Sequence, residues 1–167
     1  MSVRTIVVTA LIVAPALLAG CTQDGPTAAE STVSLAVVSG GDHGGRPFSE
    51  SLTQEVTSSP PYLGDPDGSG TALITINAGQ GQICWHTVVS DVALPATASH
   101  IHHAAAGIRG DIVIVLTPPD ATGEATGCRS DADPALLRDI LAHPGDYYVN
   151  VHTTEFPAGA VRSQLDR

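Results

Sequence analysis

A chain of 167 residues in which seven basic side chains face seventeen acidic ones has a formal net charge of −10, and nothing in it supplies the basic stripe that a nucleic-acid partner needs. The length suits one domain with a tail and is ample for a sizeable core. After the N-terminus no apolar run approaches membrane-spanning length.

The chain opens as an export signal. Arg4 is a short positive region, and Thr5 to Leu18 is apolar but too short for a spanning helix. Leu18-Ala19-Gly20-Cys21 then looks like a bacterial lipobox, which implies cleavage after Gly20 and acylation of Cys21; the alternatives are an ordinary secretory signal and a retained single-pass anchor, which Pro15 and the short length oppose. Residues 1–20 are thus assigned to the signal, 21–45 to the lipidated cysteine and a flexible tether, and 46–167 to the folded domain. Acyl chains on Cys21 would hold the protein on the extracytoplasmic face of the cell membrane, since the acidic domain is repelled by anionic headgroups. Ser31 to Ser39 alternates loosely as an optional strand, and His43 lies among glycines, where solvation is the expected state.

Arg46 to Val56 reads as the first firm strand, and Ser58 to Gly70 as a turn-rich loop. Asp65, Asp67 and Ser69 are spaced like the start of a calcium loop but lack its closing glutamate, so a plain turn is expected. Thr71 to Ala78 alternates, with Ala72, Ile74 and Ile76 on one face. Gly79-Gln80-Gly81 turns the chain into Gln82–Val89, which sets Ile83, Trp85, Thr87 and Val89 against Cys84, His86 and Val88.

Ala98 to Ala104 is a histidine strand. Alternation puts His100 and His102 on one face, about 7 Å apart, and Ile101 and His103 on the other. Gly107 and Gly110 bracket a turn. Asp111 to Thr117 is nearly all apolar and reads as a strand buried on both sides. Asp120 to Arg129 reads as a Gly- and Thr-rich loop holding Cys128. Asp133 and Pro134 look like the cap and first residue of one short helix over about 134–142, ending before Pro144-Gly145, with His143 at its C-terminal end. Asp146–Thr153 and Ala158–Leu165 form a last hairpin, in which Tyr148, Asn150 and His152 share a face. In an exported chain Cys84 and Cys128 are expected to pair as a disulfide, with free thiols as the alternative. Many short strands with one helix predict an all-β fold, a β-sandwich or small barrel.

Several of these pieces together resemble the CHRD (chordin) domain family, in particular its bacterial members. They are Glu55-Val56 before a Pro-rich loop, Asp67-Gly68-Ser69-Gly70-Thr71-Ala72, and His100-Ile101-His102 followed by Ala105-Ala106-Gly107 and Gly110. Tyr148-Val149-Asn150-Val151-His152-Thr153 then leads into Phe156-Pro157-Ala158-Gly159, Val161-Arg162 and Gln164-Leu165. The resemblance covers about Arg46 to Arg167. Ala104 and Ser163 depart from it, standing where members usually or often carry glycine. It implies an immunoglobulin-like, exported domain, one that in animal chordins sits within a secreted antagonist of signalling proteins; no enzymatic activity is established for the family.

Three functions of different classes are consistent with these residues. The first is an anchored binding or interaction module for a protein or glycan partner. The second is a Cu- or Zn-binding lipoprotein using His100, His102 and His152, with His86 as a further candidate ligand. The third is a redox enzyme at that same site. The histidines also have a purely structural reading, as hydrogen-bonded pins between strands. No catalytic residue is assigned: Ser99 lacks the glycines of a nucleophile elbow, and the carboxylates lie mostly in loops.

Overall fold

The computed structural model describes residues 45–58 and 60–166. Cys21, His43 and the optional strand at 31–39 lie outside the described residues. Eight strands form one antiparallel sheet: β1 (Arg46–Gln54), β4 (Ser69–Asn77), β5 (Gln82–Ser90), β6 (Ala98–His103), β7 (Asp111–Leu116), β8 (Glu124–Arg129), β9 (Tyr147–His152) and β10 (Val161–Gln164). Their order is β7-β6-β9-β10-β1-β4-β5-β8. A separate hairpin joins β2 (Val56–Ser58) to β3 (Pro61–Leu63), and helix α1 covers Pro134–Ala142.

The sheet folds over itself at β1. Arg46 to Leu52 pair with β4, whereas Thr53 and Gln54 pair with β10, so one strand belongs to both layers of a barrel-like sandwich. Alternation fills the space between the layers. Phe48 and Leu52 of β1, Ala72, Ile74 and Ile76 of β4, and Ile83, Trp85 and Val89 of β5 point inward from one layer. Ile101, Ile114, Val149, Val151 and Val161 meet them from the other. Helix α1 starts where the sequence placed it. The Asp133 carboxylate accepts the Ala135 N–H at 2.8 Å, Pro134 fills the first turn, and Leu137 and Ile140 are buried.

Four expectations change. The first strand stops at Gln54, because the Glu55 backbone turns to bond Ala160 and Gly64 instead of a neighbouring strand. The turn-rich loop after it contains the β2–β3 hairpin. The apolar run of β7 is not buried on both sides: β7 is a sheet edge, with Ile114 and Leu116 inward but Ile112 51% and Val115 59% exposed. The stretch expected as a loop around Cys128 is largely strand β8, paired with β5. Its single buried apolar residue, Ala125, leaves almost no alternation to read. Gly127 lies under the Trp85 ring, where any Cβ would overlap the indole.

The expected disulfide is present. Cys84 and Cys128 lie directly opposite each other on β5 and β8 and are bonded.

Candidate metal centre

Strand β9 sits between β6 and β10, and its two faces differ completely. Tyr147, Val149 and Val151 enter the core. Tyr148, Asn150 and His152 point the other way. The β6–β9 register sets His102 opposite Tyr148, His100 opposite Asn150 and Ala98 opposite His152. The β9–β10 register sets Arg162 opposite Asn150. The outward face of this layer therefore carries His100, His102, Tyr148, Asn150, His152 and Arg162 as one patch, as the alternation of the two strands requires.

The three imidazoles converge. His100 Nδ1 lies 3.1 Å from His152 Nε2. One ring nitrogen from each of His100, His102 and His152 falls within 4.8 Å of the other two. The ring orientations are set from behind. His102 Nδ1–H donates to the Gly110 carbonyl at 2.9 Å, and His152 Nδ1–H donates to the Pro157 carbonyl at 3.1 Å. These bonds fix the tautomers, so His102 Nε2 and His152 Nε2 both present lone pairs to the space between the rings. Metal–nitrogen bonds of about 2.0–2.1 Å place tetrahedral donors roughly 3.3 Å apart. The His100–His152 pair already stands near that spacing, and the full set must draw together by up to roughly 1.5 Å to reach it.

The environment keeps the rings neutral. Desolvation is the main cause for all three. It lowers His100 to about 4, with the neighbouring His152 and His102 adding to the effect. It lowers His102 against the opposing bonds to Gly110 and Asn150, and lowers His152 against the bond to Pro157. Neutral imidazole is the form that ligates.

The remaining motif residues build the frame. Tyr148 stacks on the His102 ring with centroids 4.6 Å apart and planes 1° from parallel, and the Arg162 guanidinium lies 3.3 Å from the Tyr148 ring centroid. Arg162 also donates to the carbonyls of Ile108 and Ala105, pinning the loop that leads to Gly110. Gly107, at φ +76°, accepts the Ser58 N–H at 2.8 Å, which ties that loop to β2. A Cβ at Gly110 would overlap the His103 carbonyl, so glycine is what lets the loop close on His102. Thr153 Oγ1 accepts the Phe156 N–H at 3.1 Å and shapes the turn that supplies Pro157.

His86 does not join the cluster. It lies on β5, and its Nε2 is 2.8 Å from Glu124 Oε1 on β8. Sequence reasoning missed one participant. Glu55, cited only as a motif residue, is fully buried and accepts the Asn150 Nδ2–H at 3.0 Å. The one signal available was an acidic residue ending an alternating strand.

A family model of the CHRD domain matches residues 48–165. No curated protein and no solved structure matches the chain. With the match spanning both histidine strands and every strand of the sandwich, the chain belongs to the CHRD-domain family.

Proposed function

We propose that this protein is an exported, lipid-anchored CHRD-domain protein that binds one divalent transition-metal ion, Cu(II) or Zn(II), through His100, His102 and His152. The observation that carries this reading is the pair of lone pairs on His102 Nε2 and His152 Nε2. Both are aimed inward because both Nδ1–H groups are given to backbone carbonyls. In a purely structural pair of histidines the inward nitrogens would meet donors. Here they have the His100 Nδ1–H, which reaches only His152, and the Asn150 amide, whose oxygen faces both of them. All-imidazole donation suits Cu and Zn over Ca and Mg.

The experiment is calorimetric titration of the purified protein with Cu(II) and with Zn(II). One-to-one saturable binding is expected. Alanine at His100, His102 or His152 should each weaken it by about 100-fold or more, beyond the range typical of residues behind the ligands. Wild-type protein without saturable binding would remove the metal reading.

The second reading, a docking module for a protein or glycan partner, draws on the family and on the β2–β3 hairpin. Val56 and Leu63 face each other across that hairpin with side chains 51% and 65% exposed. The two readings separate cleanly: a docking role survives loss of the histidine cluster, and metal binding survives Val56→Ser with Leu63→Ser.

A further inference from the structure

Behind the histidines lies a carboxylate that the sandwich goes to some length to bury. Glu55 sits between β1 and β2, where its N–H donates to the Ala160 carbonyl at 3.0 Å and its own carbonyl accepts the Gly64 N–H at 2.6 Å. The residue has no exposed surface. Oε2 accepts the Asn150 Nδ2–H, and Oε1 has no hydrogen-bond partner. Gly159, at φ +128°, passes directly over the carboxylate, and any Cβ there would overlap Oε2. An unpaired buried carboxylate oxygen is costly unless a cation is near or the group takes up a proton. Desolvation raises the Glu55 pKa above 4.5, against the bond from Asn150 and the charges of Arg162 and Arg109, neither of which forms an ion pair with it.

Asn150 links this carboxylate to the imidazoles. With Nδ2 committed to Glu55, Oδ1 faces the opposite way and lies 3.1 Å from His102 Nε2 and 3.1 Å from His152 Nε2. Both nitrogens turn a lone pair inward, and only His152 Nε2 has a donor, the His100 Nδ1–H, so His102 Nε2 faces the amide oxygen acceptor to acceptor with a buried carboxyl behind it. Turning the amide over would set Oδ1 against Glu55 Oε2, which suits only a protonated carboxyl, and would point Nδ2 at both ring nitrogens. With the carboxyl ionised, a cation between Oδ1 and the ring nitrogens resolves the conflict.

We propose that Asn150 Oδ1 is the fourth donor to the ion held by His100, His102 and His152, and that Glu55 is the positioning residue that keeps the amide oxygen turned toward it and supplies the balancing charge. This rests on the metal reading above. It makes the site an N3O set of neutral donors with one anion behind, closed on the protein side.

The test uses purified, isotope-labelled protein and Zn(II) as a diamagnetic probe. Wild type should bind one Zn(II), and the Asn150 side-chain NH2 resonances, assigned by their loss in Asn150→Ser, should shift together with the three histidine rings. Glu55→Gln keeps the shape and removes the charge, and should bind Zn(II) about 10- to 100-fold more weakly. Glu55→Gln binding as tightly as wild type overturns the proposal and leaves the histidine site standing. Wild type that fails to bind at all overturns both, so the two failures are distinguishable. Should Glu55→Gln not fold, the wild-type spectrum decides alone: an Asn150 amide unmoved by saturating Zn(II) while the histidine rings shift overturns the fourth donor.

Discussion

Glu50 shows what burial alone does to a carboxylate away from the histidines. It points inward from β1, accepts the Asp166 N–H at 2.9 Å and the Ser163 hydroxyl at 3.4 Å, and has no cationic partner among the described residues. Desolvation raises its pKa above 4.5 against those two bonds, with the Asp166 charge adding to the rise. The folded state therefore holds the proton more tightly than the unfolded chain does. The stabilising contribution of the protonated form is complete below 4.5 and is lost as pH climbs through the folded value. Glu50→Gln carries no such dependence. It should raise the melting temperature at pH 7 by roughly 2–5 °C, with the gain vanishing toward pH 4. Thermal unfolding at both pH values checks this, and an equal difference at both would assign the effect to packing. At this scale the sequence is legible where alternation operates. It put His100, His102 and His152 on the right faces, since a period of two leaves no other choice. It could not reveal Glu55, whose partner Asn150 is 95 residues away and whose burial depends on Gly159.

Among the elements, the two sheet edges were the hardest to read, for opposite reasons. β7 is apolar enough to pass for an interior strand, yet covers one face only and leaves Ile112 and Val115 in solvent. β8 is polar enough to pass for a loop, yet pairs with β5 over six residues. Hydrophobic pattern reports burial of side chains, whereas an edge strand is defined by its backbone pairing, which the pattern does not encode. β8 is held by the Cys84–Cys128 bond across that pairing, not by a buried face. The bond closes a sequence separation of 44, for which the chain-entropy model gives about 4 kcal/mol. Replacing both cysteines with serine should lower the unfolding free energy by up to that amount. It should also speed amide exchange in β8 ahead of β4 and β9, because an edge strand without its staple opens locally first. Exchange that rises uniformly across the sheet would show the bond to act only on the unfolded chain. Helix α1, by contrast, was legible to the residue, because Asp133, Pro134 and the spacing of Leu137 and Ile140 act locally.

For the molecule as a whole, the question is what would hold so acidic a protein at a membrane. No helix among the described residues is long and apolar enough to cross one. The formal net charge of −10 opposes adsorption to anionic headgroups, so electrostatics cannot substitute for an anchor. Under the lipoprotein reading, all of the membrane affinity comes from acyl chains on Cys21, at about 0.8 kcal/mol per buried methylene, and two or more chains make the attachment stable. The dependence on one residue should then be nearly total. Wild-type protein is expected in the membrane fraction and resistant to high salt and to carbonate, with its Cys21 peptide carrying the acyl mass. Cys21→Ser should shift the protein to the soluble fraction. Metal affinity of the solubilised Cys21→Ser protein should equal that of wild type, since the histidine cluster draws its ligands and their carbonyl partners from residues 100–157. If Cys21→Ser remains in the pellet after carbonate, the apolar stretch from Thr5 to Leu18 is retained as the anchor and the lipobox reading is wrong. If it is released but no longer binds metal, the anchor and the site are coupled in a way that an independently folded sandwich does not allow.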